Sequence, residues 1–370
     1  MDAVWLALPG LCIWATICVL PWRPWSTRET LDAGDDTAVQ DLSEVTVLMP
    51  ARNEARHIIT TLTAVADQGR NHRIILIDDE SSDATADLAA SLRLPNLIII
   101  RGEPLPRGWS GKLWALEQGR RAAHTRYLLL LDADIRLQPG LVPALLAKLN
   151  NDTLQLASLM AFLRMESRWE KMLMPAFIYF FKLLYPFRLS NSASQRVAAA
   201  AGGCILMERR ILDQMGGFAV VKNELIDDCA LARRVKNLGG RTWIGLTRSA
   251  QSLRCYENLA SVWRMVARTA FTQLHHSPAL LLVCTLLMTA AFVLPLVCVF
   301  SGPVIGVTVS LTALLLMIMT YFPTLHYYGV NPVWACTLPV TGILYLLMTW
   351  GSAISYWRGA GASWKGRTYA

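Results

Sequence analysis

Tyr127-Leu128-Leu129-Leu130-Leu131-Asp132-Ala133-Asp134 is an unbroken apolar run that ends in two carboxylates one residue apart. Such a run reads as a strand covered on both faces, the pattern of a parallel sheet clothed in helices. In open α/β sheets, ligands bind outside the carboxyl ends of the strands. Asp132 and Asp134, two apart, point to the same side of an extended chain. Two hard oxygen ligands at that edge suit Mg²⁺ or Mn²⁺ holding a diphosphate. Standing alone, the pair would leave about a third of the weight to two turn-forming aspartates, but other acidic clusters accompany it.

Working outward, short β-branched or leucine-rich runs at Val45–Met49, Arg73–Ile77 and Leu97–Ile100 alternate with helical periodicity over Glu54–Gln68, Asp83–Leu92 and Lys112–His124. This alternation predicts a parallel sheet covered by helices, with a further strand near Leu156–Phe162. Chemistry-bearing residues follow the strands: Pro50-Ala51-Arg52-Asn53-Glu54 after the first, Ile77 to Asp83 after the second, and the Asp132/Asp134 pair after a later one. A fourth cluster, Glu224 to Asp228, opens a helix that runs to Asn237 and stops at Gly239-Gly240. Strand ends of one sheet gather along one edge, so three of the four clusters should meet there. Ser81, Ser82 and Asp83 are expected to cap the next helix.

The chain has 370 residues, 54% of them hydrophobic, which suits one soluble domain plus membrane segments. Residues 277–357 contain no Asp, Glu, Lys or Arg. About 20 apolar residues cross a bilayer, so Pro278–Phe300, Pro303–Pro323 and Pro332–Trp357 are candidate spans. Val4–Leu20 is a fourth, read as an anchor because no basic stretch precedes it and no small-residue cleavage site follows. The net charge of +8 is read as membrane-facing, with no nucleic-acid partner. Arg23 and Arg28 follow the first span, while Arg254, Arg264 and Arg268 precede the second. The positive-inside rule therefore puts residues 21–276 in the cytoplasm. The eight cysteines show no Cys-x-x-Cys pair, hence neither a disulfide framework nor a zinc site. His275-His276 marks the membrane surface. The organisation expected is an anchor at 1–25, a polar tether at 26–44, an α/β domain at 45–276, two to three spans over 277–357 and a basic tail at 358–370. Within the domain, aromatic and basic residues interleave over 166–187 as in a helix lying in the headgroup layer. The last span, with Pro332, Pro339, Gly342 and Gly351, is expected to break into re-entrant half-helices. That would keep Arg358, Lys365 and Arg367 in the cytoplasm.

The segments VLMPARNE (47–54), IDDESSDAT (77–85), GKLWAL (111–116), LLLDADI (129–135) and LIDDCALARRV (225–235) together resemble the signatures of family 2 glycosyltransferases with the GT-A fold. The likeness covers about residues 45–275. GWSGKLWALEQG, GGCILMERRIL, WRMVARTAFTQL and the closing WKGRTY are most similar to the hopene-associated glycosyltransferases of bacterial hopanoid gene clusters. A more distant resemblance is to ceramide glucosyltransferase. The resemblance implies a GT-A-type mixed, mostly parallel sheet with α-helical transmembrane segments. It also implies a nucleotide-sugar donor, a UDP-sugar foremost, with a divalent metal as cofactor.

On that resemblance, Pro50, Arg52 and Glu54 shape the base pocket, and Asp78 and Asp79 accept hydrogen bonds from uracil and ribose. Lys112, at a helix start after Gly108 and Gly111, meets phosphate as a point charge. Asp132 and Asp134 hold the metal. Asp228 takes the acceptor's proton as general base, with Asp227 beside it; the bland alternative is that Asp228 caps its helix. Gly202 and Gly203 let backbone approach sugar or acceptor closely, and plain turns are nearly as good a reading. Gly216-Gly217-Phe218 stands equally open.

The family's Gln/Arg-x-x-Arg-Trp element is where the chain departs. Gln251-Ser252-Leu253-Arg254-Cys255 keeps the spacing without the Trp, on an expected strand where positions i and i+3 face apart. Arg264 and Arg268, four apart on a helix face, are the alternative diphosphate clamp. The function implied is transfer of one sugar to a lipid hydroxyl in the bacterial inner membrane, with the catalytic domain facing the cytoplasm. Transfer to a polyprenyl phosphate and a catalytically inactive membrane scaffold are the alternatives. A transporter is disfavoured, since the spans lack intramembrane acids and bases.

Overall fold

The computed structural model describes residues 3–34, 40–301, 303–359, 363–364 and 367–368. The chain divides into two compact units. One is α/β, built from Glu29–Leu163, Leu189–Arg254 and Ser363–Ala370; the other is helical, built from Met1–Arg28, Arg164–Arg188 and Cys255–Ala362.

The α/β unit is organised by β1 (Val45–Ala51), β2 (Arg73–Asp78), β3 (Leu97–Arg101), β4 (Tyr127–Leu131), β5 (Ile135–Leu137), β6 (Leu156–Phe162), β7 (Cys204–Glu208) and β8 (Thr242–Ser252). They form one sheet in the order β3-β2-β1-β4-β7-β6-β8-β5. β1 to β4 run parallel to one another, β7 runs antiparallel to β4 and β6, and β8 is parallel to β6. The sheet is thus mixed and mostly parallel. All five residues of β4 are buried, and each leucine so buried contributes about 1.5–3 kcal/mol. Two core clusters on opposite faces share these strands: Leu129 and Leu131 belong to one, Leu128 and Leu130 to the other. The apolar run is continuous for this reason.

The register aligns the functional edge. Ala51 pairs with Asp78, Leu48 with Leu130, and Leu131 with Cys204. Carboxyl ends of β1, β2 and β4 therefore lie beside the amino end of β7, where Gly202 and Gly203 enter. Helices predicted over Glu54–Gln68, Asp83–Leu92 and Lys112–His124 are Ile58–Ala66, Thr85–Ser91 and Gly111–Ala122. The segment expected as a polar tether, 26–44, is fastened to the sheet in its described parts. Thr30 bridges Leu246, and Asp32 accepts hydrogen bonds from Thr247 Oγ1 and the backbone of Arg248 and Ser249. Leu42 is buried in the core, and Asp41 bridges Arg70.

In the helical unit, Pro278–Phe300, Val304–Tyr327 and Pro332–Trp357 are long and apolar enough to cross a membrane, and Trp5–Val19 is a shorter apolar helix. Helix Ala3–Val19 docks through Trp14, whose indole N–H donates to Ala291 O at 2.9 Å and whose ring meets Phe292 edge-on. The expected break of the last span is absent: Leu338–Trp357 is one continuous helix. Pro339 falls in its first turn, where no N–H is needed. Gly342 serves packing, because a Cβ there would lie 2.5 Å from the Phe292 ring. The irregular turn is instead a π-helical one at Thr289–Val293, just before Pro295, whose missing N–H disturbs the ladder.

The aromatic-basic segment forms helix Arg168–Leu184, opened by a Ser167/Glu170 capping box. Its buried face packs on the apolar helices, with Tyr179 OH and Thr320 Oγ1 2.8 Å apart and Tyr345 OH donating to Leu173 O at 2.9 Å. His276 stacks on Tyr356 at 4.2 Å, and Phe271 meets both Tyr356 and Trp357 at 5.6 Å. The end of the last apolar helix thus returns to the segment that precedes Pro278. Three successive full crossings would part those two points by a bilayer of about 30 Å. Of the basic tail, Arg358 is exposed and the short strands Ser363–Trp364 and Arg367–Thr368 pair with each other; Lys365 lies outside the described residues.

Candidate active site

Ser110 starts the Gly111–Ala122 helix by accepting a hydrogen bond from Leu113 N, which places Lys112 in the first turn. Its ammonium reaches Asp132 Oδ1 at 2.6 Å and Gly202 O at 3.2 Å. Gly202 N in turn donates to Asp228 Oδ2 at 2.8 Å. One glycine residue therefore joins the lysine to the second acid. A Cβ on Gly202 would lie 3.2 Å from Asp228 Oδ2 and 3.3 Å from Lys112 Nζ. The close approach here is to these two side chains, so a methyl at Gly202 would displace them by a few tenths of an ångström. Gly203 O accepts from Asp132 N at 3.1 Å and fixes the end of β4.

These groups line a cleft together with Pro50, Asp227 and the apolar side chains of Leu113, Leu116, Leu130, Ile205 and Phe218. The Asp228 carboxylate faces the cleft but is surrounded by protein. Burial first, then the neighbouring charge of Asp227, push its pKa from 3.8 up to about 6, against the lowering pull of Cys229 N–H and Lys112. For Lys112, burial alone would lower the ammonium pKa, but Asp132, then Asp227 and Asp228, outweigh it and the net direction is up. Lys112 is therefore a fixed cation. Asp228 stands in the first turn of helix Asp227–Asn237 and bonds outward to Gly202, so it does more than cap. That helix is braced by Lys236, a buried lysine missed in the sequence, which donates to Ser192 O, Ser194 O and Val197 O at 2.8–3.0 Å. The braced loop leads into Ala198–Gly203.

The β1 and β2 loops interlock. Arg52 donates to the carbonyls of Asp79 and Glu80 and lies 4.0 Å from the Asp79 carboxylate. Asp79 is fully buried, and its N–H donates to Ala51 O. Ser81 and Ser82 do not cap the following helix: Ser81 Oγ accepts from Asn53 N, and Ser82 N donates to Asn53 Oδ1. Asn53 and Glu80 both adopt left-handed backbone, at φ 53° and 52°, so the serines are spent on holding two tight turns together. Asp83 bridges Ala55 N and Thr85 N. Arg52 and Asp79 thus tie the β1 and β2 loops together, whereas one oxygen of Asp78 is buried without a hydrogen-bond partner. An unsatisfied acceptor there suits a donor N–H of a base.

Asp134 is turned away from the cleft lining. It is 7% exposed, and its Oδ2 lies 2.9 Å from Arg254 Nη2, which also stands 3.9 Å from Glu54 Oε1. Arg254, set aside in the sequence as a residue of an expected strand, lies beyond that strand's end. β8 ends at Ser252, so Gln251 on the strand turns to Arg136 while Arg254, past its end, turns to Asp134. Gly216 and Gly217 are turn residues at φ 86° and 76°. A Cβ on Gly217 would lie 2.5 Å from Glu117 Oε2, which accepts from Phe218 N. Arg264, in helix Leu259–Ala267, and Arg268, at its C-cap, belong to the helical unit.

Among the described residues no three His, Cys, Asp or Glu side chains converge into a metal cage. Of the Asp132/Asp134 pair, Asp132 lines the cleft, its side chain 34% exposed. Mg²⁺ and Mn²⁺ sites of one or two carboxylates completed by phosphate oxygens and water need no cage. The donor set therefore fits a cation that arrives with a diphosphate.

Among solved structures, a mannosyltransferase from Pyrobaculum calidifontis in complex with GDP-Man and Mn²⁺ shares the fold. Its TM-score is 0.56 at 16% identity, covering 95% of this chain and 99% of that one. Among curated proteins, 93 residues are 28% identical to 4,4'-diaponeurosporenoate glycosyltransferase of Staphylococcus haemolyticus, 25% of this chain and 24% of the relative. A stretch of 108 residues is 36% identical to poly-beta-1,6-N-acetyl-D-glucosamine synthase of Staphylococcus aureus, 29% of this chain and 26% of the relative. The chain thus spans about a quarter of the length of these curated relatives. Residues 46–216, from β1 through the helix Arg209–Gln214 that follows β7, match the family model described as Glycosyl transferase family 2, a stretch that carries Asp78, Lys112, Asp132 and Gly202 and stops short of Asp228.

Proposed function

We propose that this chain is a membrane-bound, metal-dependent, inverting glycosyltransferase of family 2. It moves a single sugar from a nucleotide-sugar donor, a UDP-sugar foremost, to the hydroxyl of a lipid. The observation that carries this reading is the convergence of Asp132, Lys112, Gly202 and Asp228 in one cleft at the strand ends. The family match over 46–216 supports the transferase class, and the three long apolar helices support a lipid acceptor.

In this reading the unpartnered oxygen of Asp78 receives the base, with Arg52 and Asp79 holding the wall behind it. Lys112 exchanges part of its contact with Asp132 for the diphosphate, a point charge needing no fixed orientation. Asp132 is the leading metal ligand, with Asp134 two residues on; when bound, the metal supplies Lewis-acid neutralisation of the departing diphosphate. Asp228 accepts the acceptor hydroxyl's proton while that oxygen attacks the anomeric carbon from the face opposite the diphosphate. A pKa near 6 keeps it ionised at neutral pH and near the basicity that suits proton transfer. The glycan-free acceptor we favour is a hopanoid-type polycyclic lipid, on the likeness of the 108–119, 202–212 and 263–274 segments to transferases of hopanoid clusters. Arg23 and Arg28 before the domain, and Arg264 and Arg268 after it, favour a cytoplasmic face of a bacterial inner membrane.

The test is nucleotide-sugar hydrolysis by the purified full chain, across UDP- and GDP-sugars, with Mn²⁺ or Mg²⁺ and with chelator. One donor should be consumed only with metal. Consumption of none would exclude the reading.

A further inference from the structure

Two buried carboxylates, Asp134 and Glu54, each 7% exposed, share the single guanidinium of Arg254. The three residues come from separate strand ends: Glu54 follows β1, Asp134 follows β4, and Arg254 follows β8. Leu253 N donates to Asp134 O at 2.8 Å, so the backbone itself delivers Arg254 to this acid. Buried carboxylates without a cation are strongly unfavourable, and arginine cannot relieve the pair by giving up its proton. Arg254 is also the partner that can leave, since its side chain is 40% exposed whereas that of Asp134 is 10% exposed.

We propose that Arg254 is a built-in counter-ion holding the place of the divalent cation beside Asp134, so that the metal enters only together with the nucleotide diphosphate. This rests on the donor reading given above. A dication arriving alone would have to approach Asp134 against a guanidinium already 2.9 Å from it, a like-charge encounter in a partly buried site. Arriving with a diphosphate, it brings its own negative charge, and Arg254 gains phosphate oxygens that match its planar fork. Lys112 stands in the same relation to Asp132 at 2.6 Å. Both acids of the pair are therefore neutralised by side chains while the donor is away, which keeps the sheet edge stable and leaves free metal little to bind.

The experiment measures Mn²⁺ binding by the loss of the free-ion electron paramagnetic resonance signal, on the full chain in detergent, with Mn²⁺ alone and with Mn²⁺ plus UDP or GDP. Wild type should bind Mn²⁺ weakly alone and firmly with nucleotide. Arg254→Met should bind Mn²⁺ alone roughly ten- to a hundredfold more tightly, the span by which groups behind a metal ligand set its affinity. Arg254→Lys keeps the charge and should keep nucleotide-free Mn²⁺ binding as weak as in wild type, while losing the planar fork for phosphate; adding Asp134→Asn to Arg254→Met should erase the gain. Should Arg254→Met fail to fold, Asp134→Asn in the wild-type background decides. It should leave nucleotide-free Mn²⁺ affinity unchanged and weaken binding only when nucleotide is present. Unchanged Mn²⁺ affinity in Arg254→Met, with nucleotide-dependent binding intact, would overturn the counter-ion role while leaving the donor reading in place. Absence of any nucleotide-dependent Mn²⁺ binding in wild type would bring down both.

Discussion

Asp228 is a carboxylate whose surroundings disfavour its charge and whose role requires it. Burial and Asp227 raise its pKa to about 6 from an ordinary 3.8. Only the ionised form can accept a proton, so kcat/KM should be flat above pH about 6 and fall about tenfold per unit below it. A break near pH 4 would show that the site does not raise this group. Asp228→Asn should lower kcat by roughly 10²–10⁴ with donor affinity nearly unchanged; collapse of donor binding would assign Asp228 to the donor pocket instead. Because its folded pKa lies above the unfolded one, ionisation of Asp228 opposes folding above pH about 4. The Asn variant should therefore melt no lower than wild type at pH 8. Gly202→Ala tests the hinge between the two sides of the cleft. A methyl 3.2 Å from Asp228 and 3.3 Å from Lys112 should depress kcat while shifting the melting temperature little.

At the scale of elements, the readable parts were those whose pattern answers to one local rule. Tyr127–Leu131 is a strand at the predicted residues because both faces are covered, and Leu156–Phe162 is likewise. The Asp132–Lys112 meeting was legible as chemistry but not as a contact, since pairing through Gly202 depends on a strand that runs antiparallel. Arg254 was hidden by its position: read as a strand residue it faces away from Gln251, whereas β8 stops two residues earlier. Pro339, Gly342 and Gly351 looked like helix breakers, yet their surroundings use them otherwise. Gly351 lies against Trp263, and Gly342 admits the Phe292 ring. Gly342→Val should overpack that crossing by about 1–3 kcal/mol, read as a lower melting temperature in detergent with nucleotide-dependent Mn²⁺ binding retained.

For the whole molecule, the stacking of His276 on Tyr356 and of Phe271 beside Trp357 puts the two ends of the apolar region on one side. We expect a cysteine at the exposed Arg358, in a variant lacking other accessible cysteines, to resist a membrane-impermeant thiol reagent in intact cells. Rapid labelling would mean that all the apolar segments cross completely. The proposed function requires the donor and the lipid to meet on one side of the membrane. Its central claim is tested most directly by following label from a nucleotide sugar into an organic-extractable lipid, with the full chain in bilayer nanodiscs supplied with a bacterial polycyclic alcohol and Mn²⁺. The account predicts labelled lipid with one donor, none with chelator, and a loss of two orders of magnitude or more with Asp228→Asn. Labelled lipid formed equally well by Asp228→Asn, or formed with chelator present, would contradict it.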